Sequence, residues 1–569
     1  MQNRRIPTEF SLTVSNSLGI SARPLLLATT ALLLLLVGQL ALLAADDSQR
    51  VAPLLEGMGE HHHPITTDNP MVQRFFDQGL VLAYGFNHAE AARSFREAIR
   101  LDPDCASCYW GLSYVLGPNI NSMMDASDLP EAWNALQKAL EHKDRASPKE
   151  QAFIEALSKR YTADAPEDRS HLDWAYAEAM GDVARRFPAD TDAATLHAEA
   201  LMDTTPWDYW LENGDPKPET IEILATLDAV LEEDPNHPGA NHFLIHAVEV
   251  WYPERGIEAA DRLGAVVPGA GHLVHMPSHI YLRVGRYHDA SEANLAAIEA
   301  DDEYVTACRR QGMYPVMYMP HNHHFLWAAA SLEGRSQLAI ETAREMASRQ
   351  DADKMRQPGY STVQHYWITP LYAMVRFGRW QEILQVSSPD PDLIYPIGVW
   401  HYARAMALIR TQDLDAAARE LASLTKVLAD PSLASITVWD LNGAASLLAI
   451  AKEVVVGELA TARGDLEIGI RHLEAGVELE SKLNYDEPPT WHAPVRLNLG
   501  AVLLQANRPA EAERVYREDL EIYPDNGWAL IGLQQSLEAQ GKNLQAREVE
   551  QLYAKAWQHA DLKLTSSRL

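Results

Sequence analysis

Two stretches near the ends of the chain place the same residue types at the same spacing. Residues 72–105 carry Gly79, Ala91, Phe95, Ala98 and Pro103 at positions 8, 20, 24, 27 and 32 of a 34-residue unit. Residues 493–526 repeat the pattern with Gly500, Ala512, Tyr516 and Pro524 at positions 8, 20, 24 and 32. Small residues let two helices cross closely, a large ring fills the space between them, and proline stops the second helix. A helical hairpin of this kind cannot bury its apolar face alone, so copies must stack on one another. The pattern therefore demands an array of helix pairs.

Between the two clear units the pattern loosens but persists. "GRYHDASEANLAAI" (285–298), "GRSQLAIETA" (334–343), "GRWQEIL" (378–384) and "DLDAAARELASL" (413–424) each read as a turn followed by the second helix of a pair. The aromatic and Pro-rich "DTTPWDYWLENGDPKPET" (203–220) is an excursion from the repeat, and its "PWDYW" (206–210) covers a core or folds over the groove as a lid. At 569 residues the chain exceeds a single compact core. The period predicts roughly eight to ten helix pairs. No convincing alternating strands are evident, so the expected class is all-α.

This unit resembles the tetratricopeptide repeat, and the resemblance implies a helical solenoid wound as a right-handed superhelix. The segments "DPDCASCYWGLSYVLGPNIN", "HPGANHFLIHAVE", "PGAGHLVHMPSHIYLRVGRY" and "HNHHFLWAAASLEG" are further similar to those of a family of large exported bacterial tetratricopeptide-repeat proteins, across roughly residues 55–525. That family has no settled activity, so the resemblance implies fold and class but no catalytic residue. The wider repeat superfamily implies peptide or protein binding, which carries over only by analogy.

Ahead of the repeats lies a targeting element. Arg4, Arg5 and Arg23 precede "LLLATTALLLLLVGQLALLA" (25–44), and Asp46 and Asp47 follow it. Twenty mostly apolar residues suffice to cross a bilayer, and the arginines favour an N-inside orientation. The run is longer than a usual signal-peptide core, and leucine stands where a cleavage site wants a small residue. These features favour an anchor over a cleaved signal. The expected organisation is a basic segment (1–23), a transmembrane anchor or signal peptide (24–45), a His-containing linker (46–70) and a solenoid (71–569). Whichever targeting element it is, the solenoid is expected to be exported, anchored at the inner membrane or free in the periplasm.

Registration of the degenerate units isolates one chemically unusual feature. With Ala260 at position 20, His242, His246 and Glu249 fall at positions 2, 6 and 9 of a first helix. With Ala290 there, His272, His275 and His279 fall at 2, 5 and 9, within an arc of about 60° at 100° per residue. Ala339 puts His321 and His324 at 2 and 5, and Ile383 puts His365 at 2. First helices line the concave wall in repeats of this type, so four consecutive helices present histidine to the groove. Imidazole is the commonest transition-metal ligand, and crowded histidines without a metal or counter-ion are costly once protonated. His242, His246, Glu249, His272, His275, His279, His321, His324 and His365 are therefore the candidate metal ligands. Two nitrogens and a carboxylate suit zinc or iron, while Met276, Met313, Met317 and Met319 nearby make copper possible. The bland alternative is a groove that uses histidine for polar contacts with a peptide.

The remaining signals are weaker. "HHHP" (61–64) reads as a mobile linker or a capping ligand, His88 as structural, and His401 has no assignable direction. The three cysteines cannot form a disulfide scaffold; Cys105 and Cys108 could be a disulfide, a soft metal pair or two core residues. Acidic residues outnumber basic ones 79 to 48, for a formal charge of −31, which argues against a nucleic-acid partner. No phosphate loop, dinucleotide fingerprint or nucleophile elbow occurs, so nucleotide chemistry is disfavoured. Three functions compete. The first is a protein- or peptide-binding scaffold with a metal in its groove. The second is a metal-dependent oxidoreductase or hydrolase, with Glu249 as ligand or base. The third is a periplasmic copper- or zinc-handling protein.

Overall fold

The repeats at the two ends of the chain are each built around a ring wedged between glycines. A computed structural model describes residues 50–307 and 314–569, and the 24–45 segment expected to anchor or target the chain lies outside them. In the first unit, helix Pro70–Tyr84 starts at Asn69, whose side chain accepts from the Met71 N–H, with proline at the first helical position. Its partner His88–Leu101 ends at Asp102, just before Pro103. Phe95 sits fully buried between Gly79 and Gly111, and a methyl group added at either glycine would overlap its ring. At the other end, Tyr516 lies in the same way between Gly500 and Gly532. The shared geometry explains the shared spacing of the two ends.

The "GR" turns of the middle units work through one conformational requirement. Gly285 and Gly334 have φ of +79° and +80°, which ends one helix and starts the next where a side chain would be strained. The helices that follow, Tyr287–Ala307 and Ser336–Ser348, begin within two residues of those glycines. Among the described residues the only paired strands are Thr437–Val438 and Asn442–Gly443, a short antiparallel hairpin. The rest of the regular structure is helical, so the chain is an all-α, tetratricopeptide-type helical repeat. No helix of the described residues is long and apolar enough to cross a membrane.

Successive helices pack on their neighbours, and the array also curls back on itself. One apolar core runs from Phe76 to Ala329, and a second runs from Trp327 to Leu564. In the first half, helix Pro70–Tyr84 returns to pack on Pro238–Val248, where the Tyr84 ring fills the space left by Gly239. In the second half, helix Gly527–Ala539 packs on Met319–Glu333, and Trp528 Nε1 donates to the Ser331 carbonyl at 2.9 Å. The Tyr287 hydroxyl donates to the Pro524 carbonyl at 2.7 Å, and Asp561 receives the Ser336 and Gln337 amides at 2.9 Å each. Residues far apart in sequence are thereby brought face to face.

Curling also buries carboxyls. Asp519, on helix Pro509–Ile522, is fully buried and accepts from Asn526 Nδ2 at 2.8 Å. Burial pushes its pKa up to about 7. A carboxyl raised in the fold contributes stability that is complete below its unfolded pKa, about 3.9, and is lost as pH rises through 7. Asp519→Asn keeps an acceptor for Asn526 and removes the titration. It should match the parent near pH 4 and exceed it at pH 8, by at most about 4 kcal/mol for a shift of some three units. Urea midpoints at the two pH values check this; a parent–variant difference independent of pH would show that the fold does not raise the Asp519 pKa.

Candidate metal centre

Six of the eight candidate histidines converge in two adjoining sets, and His324 and His365 pair elsewhere. Helix Pro238–Val248 supplies His242 and His246, and Glu249 caps its C-terminal end. The stretch expected as one continuous helix is interrupted at Met276–Pro277, giving Gly271–His275 and Pro277–Arg283. Proline has no N–H to donate, so the ladder breaks there. Helix Met319–Glu333 brings His321 and His324. His242, His246, His272, His275, His279 and Glu249 are all at most 5% exposed. They are enclosed within the protein instead of lining an open concave wall, because the helices that would face solvent in a straight solenoid are covered by the curl.

Two three-histidine sets lie side by side. The donor atoms of His242, His246 and His272 lie within 4.8 Å of one another, and so do those of His275, His279 and His321. In the first set the ring centroids of His242 are 4.8 Å from His246 and 5.1 Å from His272. In the second, His275 Nε2 and His279 Nε2 are 3.1 Å apart, and the His275 and His321 centroids are 5.0 Å apart. The single stretch 272–279 thus divides between the sets. Aromatic rings enclose both: Phe86 lies 4.6 Å from His242, Trp207 5.0 Å from His246, and Phe325 4.5 Å from His275 and from His279. Trp207 belongs to the "PWDYW" excursion, which therefore contributes part of this cover.

Carboxylates tie the sets together. Glu249 reaches His246 Nδ1 with Oε1 at 3.3 Å and His279 Nδ1 with Oε2 at 2.8 Å. Glu487 Oε2 lies 2.9 Å from the same His279 nitrogen, so Glu249, His279 and Glu487 form a buried triad. Burial alone would raise the Glu249 pKa, but His279 and His246 hold it at about 2. Burial alone would lower the His279 pKa, but the two carboxylates raise it to about 10. Burial lowers the pKa of His242, His246, His272, His275 and His321, and the neighbouring imidazoles add to the effect at His242, His272, His275 and His321, so these rings are neutral. Glu487 escapes sequence reasoning, since its loop belongs to no repeat. That loop is held by the short hairpin: Asn442 Nδ2 donates to the Asn484 carbonyl and to Thr490 Oγ1, at 3.0 and 2.9 Å.

His324 and His365 sit apart from these sets as a pair, with ring centroids 5.2 Å apart. His365 Nδ1 is 2.7 Å from the Tyr395 hydroxyl, and burial lowers the His365 pKa to about 4. His401 turns outward to Glu420, at 2.6 Å. Cys105 and Cys108 are joined as a disulfide, which removes them as a metal pair. Met276, Met317 and Met319 are buried, and Met313 lies outside the described residues.

The described part of the 46–70 segment is not a free linker. His61 Nε2 and His63 Nδ1 approach the two oxygens of Asp192 at 2.9 and 2.7 Å, and His237 Nε2 lies 3.2 Å from the first oxygen. The Tyr84 hydroxyl also donates to Asp192, at 2.5 Å. An exposed polar tripeptide reads as solvated when its partner lies 130 residues away. Here one buried carboxylate, with its pKa well below the usual range despite burial because His61 and His63 face it, anchors the segment to the first half.

No protein-family profile matches the chain, and no curated protein matches it. Among solved structures the chain is similar to Naa15/Naa10 bound to HypK-THB, at TM-score 0.22 and 13% identity, covering 85% of this chain and 70% of that one. It is similar to the human IFIT1 dimer with m7Gppp-AAAA at TM-score 0.29 and 12% identity, covering 86% and 91%. It is similar to the P58(IPK) TPR domain at TM-score 0.22 and 12% identity, covering 84% and 99%. At these TM-scores the likenesses bear on neither site nor partner. The class of the chain, an all-α helical repeat of the tetratricopeptide type, rests on its own helix hairpins.

The Asp192 anchor makes a direct prediction. Asp192→Asn removes the charge that three imidazoles face and should release residues 52–66, so that limited proteolysis cuts there at least tenfold faster while residues 70–569 remain protected. Unchanged protection would show that the other contacts of the segment, such as those of Leu55 with Gln78 and of Thr66 with Glu150, hold it without Asp192.

Proposed function

We propose that this chain is an exported helical-repeat protein that encloses a transition-metal centre built from His242, His246, His272, His275, His279 and His321, with Glu249 and Glu487 beside them. The observation that carries this reading is a set of unsatisfied donors. His242 Nε2, His246 Nε2 and both nitrogens of His272 are buried without a hydrogen-bond partner, as is His321 Nδ1. Burying an unpaired polar nitrogen costs about 1–3 kcal/mol, and several in one place call for a shared ligand. Neutral imidazoles in threes suit copper, zinc or iron, and carboxylates on the far nitrogens are the usual support for such ligands.

Among the alternatives, burial argues against a carrier, whose ligands must exchange with a donor or acceptor. A three-nitrogen set leaves a coordination position free beside aromatic walls, and this favours metal-dependent chemistry within the repeat, oxidative or hydrolytic. A protein or peptide partner of the solenoid belongs to its outer surfaces, since all of these histidines but the partly exposed His321 are covered. The formal charge of −31 disfavours a nucleic-acid partner. Export, with the 24–45 segment as membrane anchor or signal, is part of the same proposal and rests on the apolar run and its flanking arginines.

Elemental analysis of the untagged full-length protein by inductively coupled plasma mass spectrometry tests the reading. Copper, iron or zinc should be present at one or more per chain and fall below a tenth of that in a folded His272→Ala/His275→Ala/His279→Ala variant. A parent protein that is folded, metal-free and unable to take up any of the three ions would defeat it.

A further inference from the structure

The positions of the imidazole protons decide how many ions the centre holds, an inference that rests on the metal reading above. A carbonyl or carboxylate oxygen can only accept, so a ring nitrogen facing one carries the proton and leaves the other nitrogen as a lone pair. His242 Nδ1 lies 2.5 Å from the Tyr84 carbonyl oxygen, so its Nε2 is the lone pair. His246 Nδ1 faces Glu249 Oε1 at 3.3 Å, so its Nε2 is a lone pair too. Both are buried without a partner, and His272 adds a third unpartnered ring.

The second set obeys the same logic. Asn294 Nδ2 donates to the Ala290 carbonyl at 2.7 Å, which fixes the amide and leaves Oδ1 facing His275 Nδ1 at 2.7 Å. Ser278, also near that nitrogen, gives its proton to the His275 carbonyl. His275 therefore carries its proton on Nδ1 and a lone pair on Nε2. His279 Nδ1 is held between Glu249 and Glu487, at 2.8 and 2.9 Å. Its Nε2 then points at His275 Nε2 across 3.1 Å. With the His275 proton on Nδ1, that contact requires either a second proton on His279, at Nε2, or a cation held with the two nitrogens. His321 completes the set with a buried, unpartnered Nδ1.

We propose that the centre is binuclear, with one divalent first-row transition ion on His242, His246 and His272 and a second on His275, His279 and His321. Glu249 couples the two, one carboxylate oxygen orienting a ligand of each ion. The sets adjoin, with His246 and His279 centroids 5.5 Å apart and those of His272 and His275 5.8 Å apart. Neutral nitrogens leave each ion doubly charged, and Glu249 and Glu487 supply the compensating negative charge.

The contrast with Asp192 supports the assignment. There His61, His63, His237 and Tyr84 converge on one carboxylate, and His237 Nδ1 already accepts the Ala240 amide at 3.2 Å. That group is a completed hydrogen-bond network in which His237 keeps no free lone pair, whereas the central histidines keep theirs.

The test uses full-length protein stripped with a chelator and titrated with copper(II) alone. Two ions should bind per chain, and the doubly loaded protein should lose most of its electron paramagnetic resonance intensity through coupling. His246→Gln and His321→Gln should each leave one ion, with full-intensity signal from that ion. Glu249→Gln should weaken both sites at least tenfold. One ion in the parent, lost in either variant, would overturn the binuclear inference while leaving the metal reading intact. Two ions that neither variant disturbs would place the metals elsewhere and overturn both. No copper, zinc or iron in the folded parent would defeat the metal reading itself. Should a variant misfold, the parent's stoichiometry and coupling still decide the question.

Discussion

Phe95 between Gly79 and Gly111, and Tyr516 between Gly500 and Gly532, set the distance at which helices cross in the repeats at the two ends of the chain. Removing the Cβ at the crossing lets backbones approach until the ring of the second helix fills the remaining gap, and close packing leaves little latitude around that value. The distance per repeat fixes the curvature of the stack. Curvature in turn brings helix Pro70–Tyr84 onto Pro238–Val248, and Gly527–Ala539 onto Met319–Glu333. Without that return, Tyr84 would not reach His242 and the 483–494 loop would not reach His279. The geometry of the histidine sets is thus a consequence of the helix-crossing geometry.

Enclosure changes the chemistry that histidine can perform. On an open wall an imidazole titrates near its ordinary pKa and water satisfies both nitrogens. Inside the curl, burial holds the rings of both sets neutral except His279, and several of their nitrogens find no partner within the protein. Only His279, with Glu249 and Glu487 against its Nδ1, is pushed the other way. The arrangement keeps five of the six rings neutral and sets negative charge against the sixth, a protonation pattern in which a bound cation would take the place of the extra His279 proton.

Much of this was legible in the sequence because it repeats. The small residues, ring and proline of units 72–105 and 493–526 gave the hairpin, and registering degenerate units against it aimed His242, His246, Glu249, His272, His275, His279 and His321 inward. What a local pattern could not carry was where the array returns on itself, since closure depends on small rotations summed over many repeats. Glu487 was invisible for that reason, as was the partnership of His61 and His63 with Asp192. His324 and His365 share the inward register yet form a separate pair. The division of His272 from His279 follows from Pro277, whose missing N–H was plain in the sequence but whose effect on side-chain direction was not.

Two clusters of histidine around carboxylate therefore sit in one molecule with opposite consequences. Around Asp192 a single ionised carboxylate receives four donors, so every proton has a place and His237 has no lone pair to spare; the result is an anchor for residues 52–69. Around Glu249 the ratio is reversed, with six imidazoles to two carboxylates. Each carboxylate oxygen can fix the proton of only one or two rings, and each ring so fixed turns a bare nitrogen inward. The excess of nitrogen over proton in that closed space is what the proposed cations would satisfy, and its division into two threes is what sets their proposed number at two.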